Sequence, residues 1–148
     1  MRPYKKITAT FLVCLLIAII NGHLFIYLNN SFFHLHSTDN DLSKFSVISK
    51  FALTIILAPL IETFLFQYLP NIILVKLKIT NRAWLIVLPA ILFGCMHFYF
   101  WLYAVAAFFG GLILNFLYIY CKERSKYYFL IVVLFHSLYN LYGYIYGM

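Results

Sequence analysis

Long apolar runs separated by short basic breaks set the pattern of this chain. After Arg2, Lys5 and Lys6, an uncharged run extends from Ile7 to Leu28. Its roughly 22 residues are enough to cross about 30 Å of hydrocarbon. Its core is too long for a signal peptide and no small-residue cleavage site follows, so it reads as an uncleaved first helix. Asn21, Gly22 and His23 interrupt it, and His23 reads as structural or interfacial. Asn29 to Ser43 is the only long polar stretch and predicts a loop. Phe45 to Val75 is apolar over about 31 residues, more than one straight span needs, which predicts a tilted or kinked helix. Pro59 lies within it and removes a backbone donor, so it should bend the helix and free carbonyls about one turn before Glu62. Three more spans follow, over Ala83 to about Tyr99, Leu102 to Tyr120 and Tyr127 to about Tyr146. The Gly110-Gly111 pair in the fourth span permits close helix contact. Phe98 to Trp101 reads as an interfacial aromatic turn.

Composition agrees with this pattern. The 148 residues are 65% hydrophobic and 10% charged, with a mean hydropathy of +0.92. A soluble domain is about half apolar and roughly a quarter charged. The expected fold is therefore all-α: a polytopic transmembrane helix bundle of about five spans, forming a single domain over residues 1–148 with its motif-bearing core at 45–146. The net charge of +7 raises nucleic acid as a partner. The placement of the basic residues and the lack of any aromatic–basic motif argue against it. Cys14, Cys95 and Cys121 form no CxxC pair and read as small buried hydrophobes.

The charges also orient the chain. With five spans, Arg2, Lys5, Lys6, Lys76, Lys78, Arg82, Lys122, Arg124 and Lys126 share one side, and Lys44 lies on the other. The positive-inside rule then predicts a cytoplasmic N-terminus, with a bacterial cytoplasmic membrane as the expected location.

The candidate chemistry centres on Glu62. The chain has four acids, and Glu62 alone lies inside an apolar run. A charged side chain at the bilayer centre costs about 2.5–3.5 kcal/mol on insertion scales, so it marks a functional candidate that needs partners. Two later spans offer them: Phe93 with His97, and His136 with Asn140, each pair four residues apart on one helix face. At about 1.5 Å of rise per residue, Glu62 lies roughly 21 Å from Lys76 and His97 roughly 22 Å from Arg82. On the same rise, His136 and Asn140 lie roughly 15 and 21 Å from Lys126. Four polar residues on three helices therefore converge in depth. His34, His36, Asp39 and Asp41 offer metal-ligating types in the polar loop, where a solvated loop is the commoner outcome. Asn115 reads as an interhelical hydrogen bonder.

These residues resemble the CPBP family, the CAAX protease and bacteriocin-processing family of intramembrane glutamic endopeptidases. Its EExxxR, FxxxH and HxxxN motifs correspond to Glu62–Gln67, Phe93–His97 and His136–Asn140, with Ala58-Pro59 before the first. Thr63 stands where the family has a second Glu, and Gln67 where it has Arg. Both replacements are neutral and able to hydrogen-bond. The resemblance implies a peptidase that needs no cofactor and no metal. Glu62 and His97 would activate a water, while His136 and Asn140 would stabilise the oxyanion. Thr63, Gln67 and Phe93 would support the site. The implied partners are the lipid bilayer and a membrane-associated protein or peptide substrate. Two alternatives stand beside this reading. One is a bacteriocin-immunity or partner-binding protein that keeps the fold. The other is a metalloprotease with Glu62, His97 and His136 as zinc ligands, for which the HExxH motif is missing.

Overall fold

A computed structural model of the chain describes residues 3–36 and 45–146. These residues form helices and no strand. We number the helices α1 (Pro3–Leu28), α2 (Val47–Lys76), α3 (Arg82–Met96), α4 (Trp101–Lys122) and α5 (Tyr128–Tyr146). Four helical segments are long and apolar enough to cross a membrane: 4–33, α2, α4 and α5. Many large apolar side chains on them point outward, among them Leu12, Leu16 and Ile20 on α1. In water such a surface would drive aggregation; in lipid it is the solvated face.

Two boundaries differ from the sequence expectation. The first span does not stop at Leu28, because a π-helical turn, Asn29–Phe33, prolongs it. The Asn29 side chain then closes the end: its Nδ2 donates to the Leu35 carbonyl at 3.0 Å, and its Oδ1 accepts from the Leu35 N–H at 3.0 Å. Asn29 belongs by composition to the polar stretch but serves as a helix stop. The part of the expected loop from residue 37 on, with Asp39 and Asp41, lies outside the described residues, and so does Lys44. The third span is also shorter than expected. α3 has 15 residues, or about 22 Å of rise, and ends at Met96, so His97 lies just past the helix end rather than inside a full span.

α2 is one continuous helix, and it accommodates its two prolines by widening. The Ala58 N–H, just before Pro59, donates to the Leu53 carbonyl, five residues back. The Leu69 N–H, just before Pro70, donates to the Phe64 carbonyl in the same way. A proline ring clashes with the carbonyl four residues earlier, and each wide π-helical turn, Leu53–Leu57 and Phe64–Tyr68, shifts the register ahead of one. The bend expected at Pro59 is thus realised as a π turn. It leaves the Thr54 carbonyl without a helical donor: Ala58 has bonded one residue further back, and Pro59 has no N–H. Asn140 Nδ2 of α5 donates to that carbonyl at 3.0 Å.

α4 is the centre of the bundle, packed most extensively against α3 and next against α1. The closest approaches are at glycines. A Cβ on Gly94 would lie 2.9 Å from the Ala104 carbonyl oxygen and from Phe108 Cβ; one on Gly111 would lie 3.1 Å from Ala90 Cα. Gly110, the other half of the expected pair, has nothing within 4 Å. Leu85, Phe93, Leu114, Leu117, Tyr118, Val132 and Phe135 fill the core, with Ile7, Cys14 and Ala18 of α1 against them. Cys14 and Cys121 are buried as expected, but Cys95 is exposed. At the basic end, Arg82 at the start of α3 pairs with Glu123 after α4, and Arg124 Nη1 lies 3.0 Å from the same carboxylate.

Candidate active site

Glu62 lies between the two wide turns of α2, a position that presents its carboxylate to α3 and α5. Its Oε2 is 3.6 Å from His97 Nε2 and 3.5 Å from His136 Nε2. Both distances lie just beyond that of a direct hydrogen bond. The Glu62 side chain is 24% exposed, against 16% for His97 and 5% for His136. Glu62 is therefore the most accessible of the three side chains.

The last turn of α3 fixes His97. Its Nδ1 is 2.7 Å from the Phe93 carbonyl. A carbonyl only accepts, so Nδ1 carries the hydrogen, and in its neutral form the ring presents a bare Nε2 toward Glu62. The four-residue spacing of Phe93 and His97 makes this bond possible. The Phe93 ring adds a second constraint, with its centroid 4.1 Å from that of His97 and 6.0 Å from that of His136. Phe66 closes the cluster from α2, at 5.5 Å from Phe93. Gly94 lets α3 approach α4 closely enough to hold this turn in place.

The structure brings Glu62, His97 and His136 together, with Phe93 against both imidazoles. Asn140 lies one turn beyond His136 on α5, with one amide hydrogen committed to the Thr54 carbonyl. Thr63 and Gln67 are fully buried at 0% exposure and face the protein interior rather than lipid. They do not bond each other: Thr63 Oγ1 and both polar atoms of Gln67 have no partner among the described residues. Asn115 Nδ2 donates within its own helix, to the Gly111 carbonyl at 2.9 Å. His23 Nε2 is 2.9 Å from Tyr142 Oη and ties α1 to α5. Among the described residues, no group of three or more His, Cys, Asp or Glu side chains is arranged so as to hold a metal ion.

Two neighbours carry no sequence signal. Tyr103, on the first turns of α4, has its ring 6.3 Å from His97 and belongs to no motif. The role of Thr54 depends on its backbone alone. A groove of about 690 Å³ lies elsewhere, between α1, α3 and α4, and is lined by residues such as Val13, Cys14 and Phe116.

Four helices long and apolar enough to cross a membrane, in an all-α bundle that brings a carboxylate within 3.6 Å of two imidazoles, define the class as an integral membrane protein. The family model of type II CAAX prenyl endopeptidase Rce1-like proteins matches residues 44–142, and the chain belongs to that family, a family of proteases. No curated protein and no solved structure matches the chain.

Proposed function

We propose that this protein is an intramembrane endopeptidase of the glutamic type, cleaving a peptide bond in a membrane-associated protein or peptide. The observation that carries the reading is the position of Glu62 Oε2 between His97 Nε2 and His136 Nε2. A water bound there donates one hydrogen to the Glu62 carboxylate and the other to the bare Nε2 of His97. Glu62 takes the proton as the water oxygen attacks the scissile carbonyl carbon, and the C–O bond forms. The negative charge moves to the carbonyl oxygen, where an Nε2–H of His136 and the free amide hydrogen of Asn140 stabilise it. Such donors count for more in a site of low dielectric. The tetrahedral intermediate collapses with cleavage of the C–N bond, and protonated Glu62 returns its proton to the leaving amine. Atoms and charges balance without a nucleophilic side chain.

A second reading, a partner-binding or immunity protein that keeps the fold, is favoured by the neutral Thr63 and Gln67 where the resembled motif carries charges. One experiment separates the two. Glu62→Gln keeps the size of the side chain but removes the base. Proteomic comparison of cells carrying wild type or Glu62→Gln, at matched membrane abundance, should reveal a membrane peptide that accumulates uncleaved. Full cleavage by Glu62→Gln overturns the glutamic mechanism. A biological effect that survives the substitution, with no cleavage by either protein, favours partner binding.

A further inference from the structure

Behind Glu62, Thr63, Gln67 and Asn71 form a column, one helical turn apart on α2. They are 0%, 0% and 1% exposed. Four of their polar atoms, Thr63 Oγ1, Gln67 Oε1, Gln67 Nε2 and Asn71 Nδ2, have no hydrogen-bonding partner among the described residues. Tyr118 Oη and His136 Nδ1, on the helices packed against this face, are in the same condition. A buried polar group without a partner costs about as much as a lost hydrogen bond, and folded proteins satisfy nearly all of them with protein or bound water. Gln67 lies within the wide turn Phe64–Tyr68, and Thr63 just before it.

The column has two different ends. At one, Thr63 adjoins Glu62. At the other, Asn71 Oδ1 accepts from Lys122 Nζ at 2.6 Å, and Asn71 lines a cavity of about 340 Å³ with Thr80, Arg82, Lys122 and Glu123 at the basic end of the bundle. Nine residues of helix separate Asn71 from Glu62, or about 13 Å. We propose that Thr63, Gln67 and Asn71 line a file of bound water joining this cavity to the site at Glu62. Buried waters typically make about three hydrogen bonds each, and the unpartnered atoms include both donors and acceptors. That the file supplies the hydrolytic water rests on the proposed peptidase reading; its hydration does not.

Gln67 is the only glutamine in the sequence, so a [15N]glutamine label gives one side-chain amide signal. In the full chain in lipid bilayers, water-edited solid-state NMR should show rapid passage of magnetisation from water to Gln67 Nε2, at the rate of a side chain in direct contact with water. That signal should also be lost on transfer to D2O. Asn71→Leu, which blocks the mouth, should abolish the transfer, whereas Glu62→Ala, which adds no second glutamine, should leave it unchanged even as it removes peptidase activity. A dry, non-exchanging Gln67 amide in the unsubstituted protein overturns the proposal without recourse to any variant. Undiminished transfer in folded Asn71→Leu overturns the path from the basic end. Neither result bears on whether Glu62 is a base, which the cleavage assay decides separately.

Discussion

Glu62 and Gln67 lie five residues apart on one helix and have opposite surroundings. Glu62 is 24% exposed and faces two imidazoles. Gln67 is sealed at 0% and has no hydrogen-bonding partner among the described residues. The difference arises from the neighbours of α2. Toward α3, the short helix ends at Met96 and leaves the carboxylate reachable beside His97. Elsewhere the bundle closes over Thr63, Gln67 and Asn71. One face is open to two imidazoles and the other is enclosed, and a wide turn before each proline sets which residue falls on which face.

The largest effect should come from breaking the reactive face. His97→Ala should be as damaging as Glu62→Gln, since general acid–base groups contribute about 10²–10⁴-fold. Asn140→Ala should retain measurable activity, because losing one oxyanion donor costs about 10²–10³-fold. Cleavage of a reporter peptide at matched membrane abundance checks the order, and equal, total loss at all three positions would show that the roles do not separate.

The enclosed face should respond to charge. Gln67→Arg places a cation in a fully buried position, at a cost of about 2.5–3.5 kcal/mol on insertion scales. Thr63→Glu together with Gln67→Arg supplies an opposite charge one turn away and should restore part of the inserted abundance. If the double variant is no better than Gln67→Arg alone, Thr63 and Gln67 are not coupled.

A smaller effect should separate the two glycine environments. Gly94→Ala pushes a Cβ to within 2.9 Å of the Ala104 carbonyl oxygen and Phe108 Cβ, an overpacking expected to cost about 1–3 kcal/mol. It should displace His97 and lower activity while the Gln67 face stays intact. Gly110→Ala, with open space at its Cβ, should stay within about 0.5 kcal/mol of wild type. Thermal denaturation in detergent measures both, and equal shifts would remove Gly94 as the contact that sets α3 on α4.

The smallest effect is a coupling. Pro59→Ala restores a backbone N–H near the Thr54 carbonyl, which Asn140 serves in the native protein. The loss of stability from Asn140→Ala should therefore be smaller in a Pro59→Ala background, by about 0.5–1 kcal/mol, within the range for groups sharing a partner. Strict additivity would mean that Asn140 does not compensate for the proline.

The sequence by itself determined the all-α membrane bundle, because runs of about 20 apolar residues have no other stable use. Its motif spacings also pointed to Glu62, His97 and His136, since four-residue intervals and helical rise place side chains by face and depth. Asn71, at the same four-residue interval after Gln67, was legible in the spacing but belonged to no motif. Only the tertiary structure decided the rest. The first span continues through Asn29–Phe33, and α3 stops at Met96; both ends depend on backbone bonding that composition does not encode. Pro59 predicted freed carbonyls, yet only helix packing selected the Thr54 carbonyl for Asn140. Gly94, rather than Gly110, holds α3 against α4, because close approach depends on which face of a helix meets its neighbour. The enclosure of Thr63 and Gln67 has the same cause: their polarity is a property of the residues, but their lack of partners is a property of what packs around them.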